Sequence, residues 1–330
     1  MEYLSFMAKR ILYVFLIAFS ALIMSATKFN LTETLSAGFF MAPEPEVVVA
    51  PIAELAPAKE ITERRNLRSL KDGELQKGLT DRLRQDPTWR RLINQKRLSV
   101  GIVDMSDEQE ARYAAVNGRH MMYAASLPKI AVLAAAHDAI ERGELKETEE
   151  VKRDMRLMIA KSNNAATTRM IDRVTFENIE RTMTDPELKL YDPAYGGGLW
   201  VGKRYAAGGR RHPDPMKGIS HAATTEQICR YFYLLANDEL VSETASEKMR
   251  RYLVDPELHH KFVSVLDRVA PRAKVFRKSG SWSTFHADVA MVQGPNRNYI
   301  MTALVDDANG EQIVRKLGAV LDQLLVEAAK

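Results

Sequence analysis

A serine and a lysine three residues apart stand inside an otherwise apolar run, Met121-Met122-Tyr123-Ala124-Ala125-Ser126-Leu127-Pro128-Lys129-Ile130-Ala131-Val132-Leu133. On a helix, with roughly 3.6 residues per turn, positions i and i+3 share a face, so the hydroxyl and the amine can meet. Serine is a poor nucleophile at neutral pH unless a neighbour takes its proton, and a lysine desolvated among apolar side chains can be neutral enough to take it. Pro128 is tolerated in a first turn, and residues 130–136 supply helix-forming apolar side chains behind it. Ser126 is therefore expected at the N-terminus of a buried helix, where a backbone N–H and the helix dipole can stabilise a developing oxyanion. The spacing alone is a weak signal, since Ser25-Ala26-Thr27-Lys28 matches it too. An ordinary core helix with a capping serine explains the run as well.

Two further polar breaks lie downstream, Lys161-Ser162-Asn163-Asn164 between two helical stretches and Lys278-Ser279-Gly280-Ser281 at the head of a β-type region. The elements that must carry them can be read from apolar spacing. Leu79, Leu83, Trp89, Leu92 and Ile93 mark one long or two short helices over residues 75–96, interrupted at Pro87. Residues 98–104 and 112–117 read as a β-hairpin, and the Ser126 helix runs to about Arg142, ended by Gly143. Residues 151–159 have helical periodicity and lead into the polar segment 161–167, which another helical stretch follows through Arg173. Seven glycines fall within residues 192–220, predicting one long loop of the kind that is usually functional or disordered. Helices return at 225–236, capped by Thr225, and at 242–253. Strands at 286–293 and 299–306 flank a turn at 295–298, and Ile313, Leu317, Val320, Leu321 and Leu324 stripe a final helix. The order predicts an α+β fold. One antiparallel sheet pairs the early hairpin with the late strands, flanked by the N- and C-terminal helices, and an all-helical lobe of about 126–255 is inserted between them. The three polar breaks then meet between lobes.

The 330-residue chain is 46% hydrophobic and 27% charged, enough to bury a large core, and its net charge of +4 comes from interspersed signs with no basic stripe. Nucleic acid is not an expected partner. Lys9 and Arg10 precede an uncharged apolar run at 11–24 and then Ser25 and Ala26, so residues 1–28 read as a secretory signal peptide or a short anchor. Export to the periplasm is expected, with membrane contact only through this segment if it is uncleaved. Pro43, Pro45, Pro51 and Pro57 suit an extended tether over 29–71, leaving 72–330 as the folded domain, expected as a monomer. The single cysteine, Cys229, excludes an intrachain disulfide and sits at helical spacing among Ile228, Phe232 and Leu235 as a core filler. No metal-ligand spacing and no phosphate-cradling loop is present, so neither cofactor nor metal is expected.

In order and type, Ser126-Leu127-Pro128-Lys129, Ser162-Asn163-Asn164 36 residues on, and Lys278-Ser279-Gly280 resemble the active-site motifs of class A β-lactamase-like serine hydrolases, within the β-lactamase and penicillin-binding protein superfamily. The resemblance spans about Leu75 to the end of the chain and includes the Ala165-Ala166 continuation and Asp288. It implies the β-lactamase/transpeptidase-like form of the fold. It also implies Ser126 as the acylated nucleophile, Lys129 as its proton acceptor, and Ser162 as the proton relay to the leaving nitrogen. Asn164, Lys278, Ser279, Gly280 and Ser281 would bind substrate: Asn164 orients its amide, Lys278 and Ser279 hold its carboxylate, Gly280 lets it lie against the strand, and the N–H groups of Ser126 and Ser281 form the oxyanion hole.

One motif of the family is missing. Class A β-lactamases carry a Glu-Pro-x-Leu-Asn loop whose glutamate activates the deacylating water, and no such motif stands between Ser162 and Thr224. Asp185-Pro186-Glu187-Leu188-Lys189 follows Ser162 too soon and is read as a helix terminus. Trp200, Lys203, Arg204, Tyr205 and His221 are the groups of the glycine-rich region that could approach the site, and an acyl-enzyme formed from penicillin is expected to turn over slowly. The sequence thus points to an exported serine hydrolase forming an acyl-enzyme at Ser126 with a β-lactam or related amide or ester. Its substrate is expected to be a small or peptidoglycan-derived molecule bearing a carboxylate. The alternatives are a D,D-peptidase or esterase acting on cell-wall-related substrates, or an acyl-trapping or non-catalytic peptidoglycan-binding domain. His259 and His260 read as solvated, His120 and His137 as packing or surface residues, and His286 as a residue that borders the cleft or is structural.

Overall fold

The chain enters the described structure, a computed structural model covering residues 66–107 and 110–329, through a 3-10 turn at Leu67–Leu70 in which Leu67 is already buried. These residues fall within one compact unit, Lys59–Lys330. The signal and tether readings concern residues that lie largely outside the described ones. Asp72 starts α1 (Gly73–Gln85) by accepting the N–H of Leu75, and Asp86 both ends it and caps α2 (Pro87–Asn94). Proline has no N–H to give to a continuous helix, so the break falls at Asp86-Pro87 and two helices result.

The sheet is the expected one. β1 (Leu98–Asp104) and β2 (Arg112–Val116) form the hairpin, and β8 (Lys274–Trp282), β9 (Phe285–Gly294) and β10 (Arg297–Asp306) close the antiparallel order β2-β1-β10-β9-β8. Alternation along β10 assigns its two faces: Tyr299, Met301, Ala303 and Val305 join one core, and Ile300 and Leu304 the other. The first core lies under α1, α2, α9 (Phe262–Val269) and α10 (Gly310–Ala328). The second lies under the middle of the chain. A strand buried on both faces reads as a continuous apolar run, which explains why β1 and β10 show no polar alternation.

The middle lobe is built from α3 (Lys129–Glu141), α4 (Glu149–Ala160), α5 (Asn164–Val174), α6 (Phe176–Thr184), α7 (Thr225–Ala236) and α8 (Glu243–Leu253). α3 and α7 are buried almost all round, so packing on every side takes the place of an amphipathic stripe. α7 presses on β1 where Gly101 leaves room: a Cβ there would stand 2.9 Å from the Cys229 Sγ. Cys229 is buried core, as its spacing predicted.

Four sequence readings need correction. The region 192–220 is not one irregular loop, and the lobe is not all helix. β4 (Tyr191–Asp192) pairs with β5 (Gly197–Gly198), and β6 (Trp200–Val201) and β7 (His221–Ala223) extend β3 (Met122–Tyr123) into a small second sheet. Strands of two or three residues carry no periodicity, and their partners are remote in sequence. The cap of α7 is Thr224, whose hydroxyl accepts the Gln227 N–H, one residue before the expected Thr225. The β9–β10 turn is tighter than expected, with only Pro295 and Asn296 between the strands. Helices α6 and α9 were not foreseen, although Asp185 was read as a helix terminus and is the C-cap of α6. Among the described residues no helix is long and apolar enough to cross a membrane.

Candidate active site

The apolar run delivers Ser126 into a turn between β3 and α3. Leu127 N–H donates to Ala124 O at 3.0 Å and Lys129 N–H to Ser126 O at 3.3 Å, so the helix begins at Lys129 through tight i→i+3 bonds. Ala125, just before the serine, has φ +50, a left-handed conformation that a side chain occupies only under constraint from its surroundings. The half-buried Ser126 therefore precedes the helix by three residues, and Pro128 takes the N-cap position.

Lys129 has 0% exposure. Its Nζ donates to the Ser162 carbonyl at 2.6 Å, to Asn164 Oδ1 at 2.8 Å and to Ser162 Oγ at 3.3 Å. Ser162 lies in the turn between α4 and α5, with φ +53. Asn163 caps α5 by accepting the Ala166 N–H, and buried Asp154 on α4 clamps α5 through Arg169 and Arg173. Those pairs hold the carboxyl of Asp154 below its usual range, Arg169 first. The turn carrying Ser162 and Asn164 is thereby fixed at both ends.

The third motif arrives on β8, the edge of the main sheet. Lys278, buried at 1% exposure, donates to Ser162 Oγ at 2.9 Å and to Ser279 O at 2.8 Å. Gly280 lies against the Ser126 turn, where a Cβ would stand 2.3 Å from Ala124 O and 2.7 Å from Ser126 N. Only glycine allows that approach. Ser126, Lys129, Ser162, Asn164, Lys278 and Gly280 thus converge through these contacts, and Ser279 and Ser281 flank Gly280 on the same strand.

The electrostatics follow from burial. Desolvation brings Lys129 down to about 7 from the ordinary lysine value. Lys278 falls well below its ordinary value, first by burial and then by the neighbouring positive charge of Lys129. Ser162 Oγ accepts hydrogen bonds from both amines, so its lone pairs are engaged and its own proton is free to be given to a third atom. A hydroxyl placed between two low-pKa amines is chemically able to pass a proton between them and a third atom.

Two buried cations at the back of β8, Lys261 and Arg277, carried no sequence signal. Lys261, next to His259 and His260 in sequence, is buried and donates to Gly280 O at 2.6 Å, Ser281 Oγ at 2.8 Å and Ala287 O at 3.1 Å. Burial lowers its pKa to about 8. Arg277 pairs with Asp288 through bonds of 2.8 and 3.0 Å, and Asp288 also accepts the Phe262 N–H, which anchors α9 to the sheet. These groups brace the back of β8. Their partners are set by strand register, which spacing along the chain does not reveal.

Of the loop groups, Tyr205 and His221 reach the site. The Tyr205 ring stands 4.5 Å from Lys129 Nζ, and its hydroxyl donates to Ala125 O at 3.0 Å. His221 packs on Tyr205 at 4.2 Å between centroids and on Tyr123 at 5.8 Å, and Tyr123 meets the exposed Trp282. Burial depresses His221 to about 4. The others do not join this cluster. Trp200 donates to His212 O in the lobe core, Arg204 pairs with Asp172, and Lys203 offers its carbonyl to His221. Among the remaining histidines, His137 is buried, His259 pairs with Asp267, and His286 packs against Gly310. His260 is half-buried and held near 4, which differs from its reading as solvated.

A sheet capped by α1, α2, α9 and α10, with a mainly helical lobe leaning a Ser-x-x-Lys turn on the sheet's edge strand, defines a β-lactamase/transpeptidase-like protein. The family model described as "Beta-lactamase enzyme family" matches residues 88–156 and 153–325. The chain belongs to that family. Among curated proteins none matches it. Solved structures show the same fold at low identity. A β-lactamase from Xanthomonas campestris is 14% identical with a TM-score of 0.60, covering 76% of this chain and 98% of its own. A β-lactamase from Sphaerobacter thermophilus is 16% identical with a TM-score of 0.57, covering 69% and 91%. A variant of PBP-A, described as an acyl-enzyme complex with penicillin G, is 16% identical with a TM-score of 0.57, covering 80% and 98%.

Proposed function

We propose that this chain is an exported serine acyl-hydrolase that forms an acyl-enzyme at Ser126 with a carboxylate-bearing β-lactam or a peptidoglycan-derived amide. The observation that carries this reading is the Ser162 hydroxyl held between the amines of Lys129 and Lys278. Lys129, near neutrality in pKa, takes the Ser126 proton as Oγ bonds to the substrate carbonyl carbon. The N–H groups of Ser126 and Ser281 receive the oxyanion. As the carbon–nitrogen bond breaks, the nitrogen takes the proton of Ser162, which is replenished from the lysines. Lys278 and Ser279 hold the carboxylate, Asn164 orients the amide, and the substrate lies along the free edge of β8 at Gly280. Relatives of this fold include proteins described as β-lactamases and an acyl-enzyme with penicillin G, which supports the chemistry.

A second reading, a D,D-peptidase-like protein that releases its acyl group slowly, is favoured by one observation. The amine of Lys129 donates to Ser162 and Asn164, and the residue the loop sets over it is a tyrosine in place of a carboxylate. Intact-mass spectrometry after mixing with benzylpenicillin or a D-Ala-D-Ala peptide separates the two. A transient adduct marks a β-lactamase and a persistent one a peptidase-like protein. Absence of any adduct, or an undiminished one in Ser126→Ala, overturns both.

A further inference from the structure

Tyr205 stands in the segment between β6 and β7 and makes two contacts at the nucleophile turn. Its hydroxyl donates to the carbonyl of Ala125, the left-handed residue immediately before Ser126. Its ring covers Lys129 Nζ at 4.5 Å. The ring is held in turn by His221, whose Nε2 lies 3.0 Å from Lys203 O and whose Nδ1 lies 3.3 Å from Ser220 Oγ. With Nε2 donating to that carbonyl, Nδ1 accepts from the serine, and the imidazole is a neutral wedge behind the ring.

We infer that Tyr205 is a positioning residue with two separable parts: its ring keeps water from Lys129, and its hydroxyl pins the strained Ala125 turn that presents Ser126. The inference rests on the proposed acyl-enzyme chemistry for its consequence, but not for its geometry. A ring over an ammonium has opposed effects. Its quadrupole favours the charged form, while exclusion of water disfavours it. Exclusion wins at Lys129, whose depression has burial as its cause. The titratable groups facing Lys129 are Lys278 of β8, His221 of β7 and Tyr205 itself. All three are pushed by burial toward their neutral forms, so none compensates a charge on Lys129. The consequence for turnover is direct: the group that covers Lys129 is a phenol held in its neutral form by burial, far too weak a base to take a proton from a hydrolytic water, so the acyl group leaves slowly.

Tyr205→Phe and Tyr205→Ala divide the two parts, with far-UV circular dichroism confirming the fold of each. In protein labelled with 13C at lysine Cε, and with Lys129 assigned through Lys129→Met, Tyr205→Phe should titrate as the parent does. Tyr205→Ala should bind the Lys129 proton at least tenfold more tightly, a rise of about one pH unit. The acylation midpoint with benzylpenicillin should move up with it in Tyr205→Ala only, while Tyr205→Phe slows acylation severalfold at an unmoved midpoint. Deacylation should quicken in Tyr205→Ala. An unmoved Lys129 titration in Tyr205→Ala, or identical behaviour of the two variants, overturns the inference. If the titration shifts as stated and the parent protein never acylates, the positioning role stands and the proposed function falls.

Discussion

Replacing Lys129 by methionine turns the burial of its amine into a measurable stability. Lys129 is fully buried and its folded pKa is about 7, against 10.5 for an unperturbed lysine. Between those values the unfolded chain binds one proton more than the folded one, so stability rises with pH there. The slope is about 1.4 kcal/mol per pH unit for one proton. The penalty is complete below about pH 7 and fades as pH rises toward the unfolded value. Methionine matches the stem and has no proton to lose. It also leaves Ser162 O and Asn164 Oδ1 without their donor, but that loss, about 1–3 kcal/mol per buried acceptor, is independent of pH and cancels in the slope. Urea unfolding of parent and Lys129→Met at pH 7 and pH 9 should therefore show the parent gaining about 2–3 kcal/mol relative to the variant over that interval. Lys278 titrates in both proteins, and the variant lacks the Lys129 charge that adds to its depression, so the difference in slope belongs to the coupled pair. Equal slopes would refute the claim that Lys129 is held near neutrality by burial. The same variant should be acylated at least a hundredfold more slowly by benzylpenicillin.

Other expectations follow from single contacts. Ser162→Ala removes the hydroxyl between the two amines and should slow acylation by about 10²–10⁴-fold, with the fold retained by circular dichroism. Gly280→Ala sets a methyl against the backbone at Ala124 O and Ser126 N, atoms that cannot rotate away. Labelling by a fluorescent penicillin should be abolished while the circular dichroism spectrum is kept, and normal labelling would show that the strand does not contact the turn as described. Arg277→Met leaves Asp288 buried without its partner, a change that typically destabilises by about 3–5 kcal/mol and should appear as a lowered urea midpoint.

The residues of the proposed chemistry could be picked out in the sequence because each motif is local. Ser126 and Lys129 are neighbours on one turn, Ser162 and Asn164 on another, and Lys278 and Gly280 on one strand. Their order, with strands at both ends of a helical middle, also determined the fold class, since each long element carries its own apolar period. Helix breaks at Pro87 and Gly143 were equally local.

What brings the three motifs within hydrogen-bonding distance is not local. Ser162 receives Lys278 across 116 residues only because β8 closes the sheet edge next to the α4–α5 turn. The register that opposes Ser279 to Asp288 sets Arg277 on its carboxylate and Lys261 behind Gly280, and nothing in their spacing announces it. Tyr205 is the clearest case. In the sequence it is one aromatic residue in a glycine-rich stretch that lacks the expected glutamate. Three very short strands carry that stretch back to the site, and no periodicity marks them. The sequence alone determined which groups could do chemistry and the class of fold that carries them. Tertiary structure decided which amines are desolvated, which hydroxyl stands between them and what covers Lys129, because burial and long-range pairing are properties of the packed chain.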